Sequence, residues 1–570
     1  METDAINDAR NKGERWMNVA LAVGSGLFLG LAFPPSPFYS LAYVAFVPFL
    51  FLFSRMRTIG QCVRYSYLFL FAFHVVTVYW TGGYTHAKDI WLITANVALV
   101  TLHPFFYFPS VLLAFFVWKR VGTVAGLFSF TFLWISYEYA HSLGEFSFPW
   151  MTIGNSQAYD LARIQIVEYT STYGLSFVLL VFNSVSFLLL LNLASNRWKQ
   201  WSWQTIISVL LLLFVYVGPW LYGRKVLATS SKAGTALAVG IVQPDFDPWE
   251  KWGEGFTSKW DSYQIQFNTM LDETRRLATS NPDLILWPET AIPFQILLPR
   301  YMNYRDELLR VVDSTRTPVF TGFPHLKIVD SVHASVTAQR IGQSSTFVES
   351  YNAAVLVEPG GNLSPIYRKI VLVPFAERIP YANALQFLIE PLKWQVGISS
   401  WGKGADTLVY RMKTRSGAEV RFSGMICYES VYPNFVRELV HRGAEFLVVL
   451  TNDSWWGNTS GTYQHAAYAS FRAVENRRWV VQCANGGISE YVDPTGAVHV
   501  STRMYSAARW ISTIETSNTE TYYTRHGDIF AQTCLFCAGV FIILGLYRII
   551  RVNGKPTTDR PSERHGNPAR

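Results

Sequence analysis

The 570-residue sequence is short of charge, since Asp, Glu, Lys and Arg make up only 15% of it, against roughly 25% in ordinary soluble domains. Half of its residues are hydrophobic. The deficit is uneven, because residues 16–222 hold almost no acidic groups whereas residues 237–520 have the composition of a soluble α/β protein. The first part of the chain is therefore predicted to contact lipid, and a wholly soluble protein is excluded.

Cysteine is scarce as well, with five residues in the whole chain. Only Cys427 and Cys483 fall in the soluble-like part, so a disulfide framework is not indicated. Cys534 and Cys537 have C-x-x-C spacing inside an apolar run, where we expect packing, because a redox pair needs an ionisable thiolate. Cys62 is expected to be inert.

Patterns for common cofactors are missing too. No His/Cys group has the spacing of a zinc site, and no glycine-rich loop for phosphates is present. The net charge of +8 is not accompanied by a basic patch with interleaved aromatics in the soluble-like part, so nucleic acid is not an expected partner. We expect neither a metal nor a nucleotide cofactor.

Long apolar runs are what the sequence has instead. A helix needs about 20 apolar residues to cross a bilayer, and eight segments reach or approach this length. The first two are marginal, and a hairpin of buried core helices is the alternative for them. A cleavable signal peptide is not expected, because no small-residue cleavage site follows the first segment. The segments lie near residues 16–32, 38–53, 65–80, 91–117, 122–141, 164–192, 204–222 and 528–547.

Basic residues favour one side of these segments. With the N-terminus inside, the short outside loops carry only Lys88 and Arg163, and the positive-inside rule places both chain ends in the cytoplasm. In a bacterium, this organisation describes an inner-membrane protein with a periplasmic domain. We predict a bundle of about seven transmembrane helices over residues 1–222, an outside domain over 223–527, a last span over 528–548 and a basic tail over 549–570.

The outside domain reads as buried strands that alternate with amphipathic helices. Apolar runs that are covered on both faces and separated by helices indicate an α/β sandwich. In such folds, the catalytic and ligand-binding residues lie at the carboxyl ends of the strands. The predicted strands are ALAVGIVQP, DLILWPE, TPVFTGFP, NAAVLVEP, VRFSGMICYE, AEFLVVLTND and WVVQCAN, and the clearest helical stretches are 258–279, 300–314 and 461–478.

Three residues at strand ends form a set suited to acyl transfer. Glu289 closes DLILWPE, Lys369 lies in IYRKIVLVPF and Cys427 lies in RFSGMICYES. Alone, each has an ordinary explanation as a helix cap, a solvated strand residue or a small buried side chain. Together they supply a base, a cation for an oxyanion and a nucleophile. The backbone N–H of Tyr428 could add an oxyanion donor.

The order of these motifs resembles that of the nitrilase superfamily, whose members use a Glu–Lys–Cys triad. With spans before and after the domain, the chain is similar to its membrane-bound branch, the apolipoprotein N-acyltransferase family. Further shared motifs are FSFPWMTIGNSQA (146–158), VQPDFDPWEKW (242–252), YNAAVLV, LTNDSWWG and FRAVENRRWVVQCANGG.

The resemblance implies a multi-pass α-helical membrane bundle joined to a nitrilase-like αββα sandwich. It also implies that Cys427 is the acyl-accepting nucleophile, Glu289 the general base and Lys369 the electrostatic partner. Ala376 departs from the family, which more often has Gly there, and Arg378 stands where an aromatic or apolar residue is common. Supporting or substrate-binding roles are implied for Trp252, Glu377, Tyr428, Glu429, Asn452 and Trp455.

The reaction implied is the last step of lipoprotein maturation. Cys427 would take an acyl chain from the sn-1 position of a membrane phospholipid as a thioester and pass it to the α-amine of the diacylglyceryl-cysteine of an apolipoprotein. A monomer is expected, and no cofactor is needed because the ester is already activated. The aromatic stretch 381–401 fits an interfacial arm or lid, with a long surface loop as the alternative.

Two other functions are compatible with parts of the sequence. A membrane-tethered hydrolase of amides or nitriles would use the same triad, although a tether needs only one span. A transporter or assembly scaffold would need ionisable residues within its spans, and Glu138 is the main candidate.

Overall fold

The computed structural model describes residues 2–83, 90–194, 203–229, 234–248, 251, 259–388 and 401–553. Within these ranges, the residues before 230 and after 520 form helices without strands, whereas strands that alternate with helices lie between residues 236 and 515. The boundary between apolar runs and alternating strands in the sequence is therefore also the boundary between two kinds of architecture.

Among the described residues, nine α-helices form the apolar part. A cis peptide bond joins Pro34 to Pro35 after the first of them. The kink within the seventh helix lies at Ser171, whose φ is +56°. The helices are α1 (Glu2–Leu31), α2 (Val47–Arg55), α3 (Ile59–Val78), α4 (Ile90–Leu102), α5 (Phe108–Val121), α6 (Thr123–Ala140), α7 (Val167–Ala194), α8 (Trp203–Thr229) and, at the far end of the chain, α14 (Ile529–Asn553).

Five helical stretches of the described chain are long and apolar enough to cross a membrane, and all five were predicted. They are Ile59–Gly82, Leu92–Val121, Arg163–Ala194, Trp203–Thr229 and Ile529–Arg551. The predicted span at 38–53 is different, because a 3-10 turn there precedes the nine residues of α2. At 1.5 Å per residue, α2 is only about 14 Å long, less than half of a bilayer core.

The domain between residues 236 and 515 contains two sheets. The first has the order β14-β1-β2-β3-β5-β4, with β6 and β7 also paired to β5, and the second has the order β13-β12-β11-β10-β9-β8. The central strands of each sheet are parallel, namely β1, β2 and β3 in the first and β9, β10 and β11 in the second. The strands of the first sheet are β1 (Ala236–Gln243), β2 (Leu284–Leu286), β3 (Val319–Asp330), β4 (Gln339–Arg340), β5 (Thr346–Glu358), β6 (Asn362–Leu363), β7 (Tyr367–Arg368) and β14 (Ala508–Glu515). Those of the second are β8 (Tyr410–Lys413), β9 (Glu419–Ile426), β10 (Phe446–Thr451), β11 (Val480–Ala484), β12 (Glu490–Val492) and β13 (Val498–Ser501).

The two sheets face each other, and helices cover their outer faces. Phe320 of β3 meets Phe422 of β9 with ring centroids 5.2 Å apart, and a side chain larger than hydrogen at Gly424 would collide with the Phe320 ring. Separate apolar clusters lie under the helices of each outer face. These layers form an αββα sandwich, as predicted. The covering helices are α9 (Lys259–Ala278), α10 (Met302–Thr315), α11 (Pro433–His441) and α12 (Ser460–Asn476), and a short α13 (Tyr522–His526) leads to α14.

The segment 146–157 joins the helical bundle to the sandwich. Tyr428 donates a hydrogen bond from its hydroxyl to the Ser147 carbonyl over 3.1 Å, and its ring stacks 6.3 Å from Trp150. Gln464 of α12 accepts hydrogen bonds from the indole N–H groups of Trp80 and Trp150. Buried indoles need hydrogen-bond partners. These contacts therefore hold the helical bundle against α12 and against the turn that follows β9.

Candidate active site

Cys427 is the first residue after β9, at the start of a 3-10 turn over Cys427–Val431. Its φ is +52°, a left-handed conformation that is strained for a side chain other than glycine. Such a turn aims a side chain away from the sheet, as in other nucleophile elbows. The residue is buried, with 7% of its surface exposed. The structure therefore places Cys427 at a strand end, as predicted, and in a sharp turn that leads from the strand toward a helix.

Glu289 follows β2 after a Trp-Pro pair. The next residue, Thr290, has a φ of +47°, so the chain turns sharply here. Gly322 of β3 makes room for this turn, because a Cβ there would lie 2.6 Å from the Thr290 nitrogen and 2.9 Å from the Glu289 Cα. The tight approach leaves the Glu289 carboxyl buried at the carboxyl end of the first sheet rather than in a helix cap.

Lys369 follows β7 and lies between two carboxylates. Its Nζ is 2.8 Å from Oε1 of Glu377 and 3.8 Å from Oε1 of Glu289. Asn352 of β5 donates from Nδ2 to the same Glu289 oxygen over 2.6 Å. The Lys369 side chain is only 1% exposed. A lone buried ammonium would be very costly, but two carboxylates compensate it.

These charges shift the proton affinities of the three predicted triad members. Burial raises the pKa of Glu289, which Lys369 lowers and Glu377 raises. Burial alone would lower the pKa of Lys369, but Glu377 and Glu289 hold it above its usual value. Burial and the Glu289 charge raise the pKa of the Cys427 thiol, against the opposing effect of Lys369. The group thus pairs a protonated thiol with a carboxylate of increased basicity and a permanent cation, which is what base-assisted attack on an ester needs.

Glu429 ties two parts of the site together. Its carboxylate accepts hydrogen bonds from the backbone N–H groups of Ile370 and Val371, immediately after Lys369. It also accepts from the N–H of Ile426, immediately before Cys427, over 2.8 Å. One buried side chain therefore fixes the position of the lysine loop relative to the cysteine turn.

The surroundings of Glu377 show how the chain accommodates Ala376 and Arg378, the two residues that depart from the family pattern. Glu377 binds Lys369 and also accepts from the backbone N–H of Val373 over 2.8 Å. The left-handed residue in this loop is Phe375, so Ala376 does not have to adopt a glycine-like conformation. Arg378 donates from Nη1 to Thr337 and to the Trp401 carbonyl. The cation beside Glu377 is thus directed to the loop around Trp401.

The remaining predicted residues have varied surroundings. Tyr428 is buried against the bundle. Asn452 follows β10, and its Oδ1 accepts from Nδ2 of Asn485 over 3.1 Å. Trp455 is half-buried in the next turn. Trp252 lies outside the described residues, as does most of the predicted arm, of which only 381–388 and 401 are described.

Two buried polar residues of this site were present in quoted motifs but were not singled out. Lys251, from VQPDFDPWEKW, donates from Nζ to the Glu289 carbonyl and to Thr290 Oγ1, at 3.2 and 2.9 Å. Burial lowers its pKa to about 7. Asn352 comes from YNAAVLV. A polar residue in front of an apolar run was the available signal for Asn352, whereas Lys251 stands among other polar and charged residues that gave no such signal.

A cavity of about 230 Å³ opens next to this site, between the bundle and the sandwich. Its wall includes Ile370 and Val371, which follow Lys369, and Ser147 and Tyr432 from opposite sides of the junction. Most of the wall is apolar, and its charged residues are Arg378, Lys403 and Glu145, of which Lys403 and Glu145 pair over 3.6 Å. A cavity between the two parts of the molecule suits a ligand that is partly lipid.

Comparisons with known proteins agree with this architecture. The family model described as "Apolipoprotein N-acyltransferase N-terminal domain" matches residues 25–185, and the one described as "Carbon-nitrogen hydrolase" matches residues 261–508. The chain is 34% identical over 533 residues to a protein of Chlorobaculum tepidum named apolipoprotein N-acyltransferase, covering 92% of this chain and 96% of the relative. It is 30% identical over 535 residues to a protein of the same name from Geobacter metallireducens, covering 93% and 95%.

Solved structures also resemble the chain. An amidase from a Nesterenkonia species is 15% identical, with a TM-score of 0.37, and the alignment covers 53% of this chain and 97% of the amidase.

Proposed function

This chain belongs to the apolipoprotein N-acyltransferase family, and on that premise we propose that it carries an acyl chain from the sn-1 position of a membrane phospholipid to apolipoproteins. The accepting group is the α-amine of their N-terminal diacylglyceryl-cysteine. The chain is an N-acyltransferase, in keeping with its carbon-nitrogen hydrolase domain. The observation that carries the assignment of roles is the buried Glu289–Lys369 pair, whose two members both act electrostatically on the Cys427 thiol.

In the first half of the reaction, Cys427 attacks the phospholipid ester. Glu289 takes the thiol proton as the sulfur bonds to the ester carbonyl carbon, and the Lys369 ammonium stabilises the oxyanion that forms. The carbon–oxygen bond to glycerol then breaks, and Glu289 returns the proton to the departing oxygen. A lysophospholipid leaves, and the acyl chain remains on Cys427 as a thioester.

In the second half, the apolipoprotein amine attacks the thioester carbonyl. Glu289 accepts a proton from the nitrogen, and Lys369 again stabilises the oxyanion. The carbon–sulfur bond breaks, the sulfur takes back its proton, and an amide is released. Because the amine attacks the thioester that the first half leaves on Cys427, the order is donor first and acceptor second.

Other buried residues support these groups. Glu377 holds Lys369, and Glu429 holds the loops that carry Lys369 and Cys427. Tyr428 seats the cysteine turn on the bundle, and its backbone N–H is a further oxyanion donor. On the family resemblance we assign Asn452 and Trp455, which do not line the cavity described above, to the wall of the substrate pocket, and Trp252 to that pocket or its lid.

The membrane supplies the donor. We place the chain in a bacterial inner membrane as a monomer, with about seven spans over 1–222, the periplasmic catalytic domain over 223–527, a last span over 528–548 and the cytoplasmic tail over 549–570. The charge bias of the loops supports this orientation. Tyr381 is exposed, as is typical of tyrosines at the lipid interface. The exposed Phe375 and Phe387 add apolar surface near it, and together these residues support an arm beginning near 381.

The proposal is tested by mass spectrometry of the purified protein after incubation with phospholipid alone. We expect an acyl adduct on Cys427 that disappears only when a diacylglyceryl-cysteine peptide is added, with the chain recovered on that peptide. Turnover of the adduct by water without the peptide would instead indicate a hydrolase. An adduct on Cys483 would overturn the assignment of the nucleophile.

A further inference from the structure

Lys251 is a buried residue to which the reaction described above gives no role. Only 1% of its surface is exposed, and it is not part of the wall of the cavity beside the triad. Burying a lysine is costly unless its nitrogen finds hydrogen-bond partners. The partners of Lys251 therefore indicate what the residue does.

Both side-chain contacts of Lys251 are made with the turn that carries the proposed base. Its Nζ donates to the carbonyl oxygen of Glu289 over 3.2 Å and to Oγ1 of Thr290 over 2.9 Å. In the part of the chain that the structure describes, the Glu289 carbonyl accepts from no other donor. An amine has two N–H bonds and an ammonium three, so both forms of the lysine can make these contacts. Without Lys251, a buried carbonyl would lose its partner, which favours a rearrangement of the turn.

The backbone of this turn is strained. Thr290 has a φ of +47°, a left-handed conformation that β-branched residues rarely adopt. Such a conformation persists only where the surrounding structure holds it. The two hydrogen bonds from Lys251 lie on either side of the Glu289–Thr290 peptide bond. A change in this turn would move the Glu289 carboxyl, because the same residue carries it.

Lys251 is itself held by backbone hydrogen bonds. Its N–H donates to the Asp247 carbonyl over 2.8 Å, and its carbonyl accepts from Nε2 of Gln266 over 2.8 Å. The same Nε2 donates to Ser262 Oγ, and both Gln266 and Ser262 belong to α9. The turn at Glu289 is thus connected to α9 through a lysine whose own backbone is fixed.

The charge of Lys251 also acts on the base. Burial raises the pKa of Glu289, Lys369 lowers it, Glu377 raises it, and Lys251 lowers it. The Glu289 charge acts in turn on the Cys427 thiol. Burial lowers the pKa of Lys251 to about 7, so this residue is a cation in acidic solution. There it favours the ionised form of Glu289, which is the form that accepts a proton.

We propose that Lys251 is a positioning residue for the general base. It holds the left-handed turn at Glu289 and Thr290, so that the Glu289 carboxyl stays beside Asn352 and Lys369. The inference rests on the proposed function, in which Glu289 takes the thiol proton. Because Lys251 acts through Glu289, its loss changes the chemical step and not the binding of the lipid.

The test measures the single-turnover rate at which phospholipid acylates Cys427 in the full-length, detergent-purified protein, at several lipid concentrations and pH values. Lys251→Met keeps the length of the side chain and removes both hydrogen bonds. We expect the maximal rate to fall roughly 10–100-fold, as displacement of a reacting group can cause, with the half-saturating lipid concentration unchanged. The acid limb of the rate should move to higher pH, because the lost cation favoured the ionised base.

Thr290→Val separates the effect of a hydrogen bond from that of the charge. It removes one of the two acceptors and keeps the lysine, so the rate should fall about two- to tenfold, the usual effect of one hydrogen bond, and the acid limb should stay in place. The double variant should be no slower than Lys251→Met, because the hydroxyl has already lost its donor. If Lys251→Met does not fold, Thr290→Val replaces it, and a wild-type rate in that variant would overturn the proposal.

The matched control is Arg415→Met, near the amino ends of β2 and β3 in the same sheet. Arg415 donates to the Pro282 carbonyl and to Thr317 Oγ1, at 2.9 and 2.7 Å, so it also binds a carbonyl and a threonine hydroxyl. Its removal should leave the maximal rate and the acid limb unchanged.

Three results would contradict the inference. They are an unchanged rate in folded Lys251→Met, a loss confined to lipid binding, and an acid limb that does not move to higher pH. Wild-type protein that is acylated on a residue other than Cys427 would instead refute the proposed function.

Discussion

Cys427 and Cys483 are both buried thiols carried by the second sheet, but they lie in different regions of it. Cys427 stands at the carboxyl end of β9, in a left-handed turn beside Glu289 and Lys369. Cys483 lies inside β11, between the sheets, and its sulfur contacts the backbone carbonyls of Val242 and Leu286 at 3.5 and 3.4 Å.

The difference between the two regions lies in what surrounds the sulfur. Burial raises the pKa of both thiols, so burial makes neither thiol easier to ionise. Cys427 alone has a carboxylate and an ammonium group acting on it, together with a turn that presents it. Burial therefore does not distinguish a packing cysteine from a nucleophile, whereas charged partners at a strand end do.

The largest expected effect comes from changing each thiol to the same residue. Cys427→Ser should abolish acyl transfer, because a serine hydroxyl is far less acidic than a thiol. Cys483→Ser should keep near-normal transfer, since a hydroxyl can donate to the same two carbonyls. Transfer to a diacylglyceryl-cysteine peptide and thermal unfolding are measured together. Intact transfer in Cys427→Ser, or its loss in folded Cys483→Ser, would remove the contrast between the regions.

The second largest effect on the transfer rate is expected from removing the proposed general base, Glu289. Glu289→Gln should lower the transfer rate by roughly 10²–10⁴-fold, the usual contribution of a general base. The control is Glu445→Gln at the amino end of β10 in the second sheet, where Glu445 accepts hydrogen bonds from Arg421. That change should leave the rate unchanged while costing about 1–3 kcal/mol of stability. Equal losses of activity in the two variants would show that the loss follows from removing a buried carboxylate in general, and not from removing a general base.

The smallest effect is a shift in pH dependence. Glu289 must be ionised to accept a proton, and its pKa is raised, so transfer should decline with falling pH before an ordinary glutamate would titrate. Glu377→Gln removes a charge that raises the pKa of Glu289 and should move this acid limb to lower pH. Single-turnover rates across pH measure the limb. A limb that moves upward would contradict the assigned electrostatics.

Much of the fold followed from local patterns. The seven predicted strands correspond to β1, β2, β3, β5, β9, β10 and β11, and the three predicted helices to α9, α10 and α12, because period and flanking turns specify such elements. The segment near 38–53 was less predictable. Its apolar composition is that of a span, but local turns decide where a helix starts, and α2 begins only at Val47.

The sequence by itself determined the apolar runs, the alternation of strands and helices, and the positions of Glu289, Lys369 and Cys427 at strand ends. Only the tertiary structure decided which residues meet there. Asn352 reaches Glu289 because β5 pairs with β3, and His465 reaches the Cys427 carbonyl because α12 packs against the turn after β9. Such contacts join residues distant in the chain, and they depend on strand order and helix packing, which no local pattern specifies.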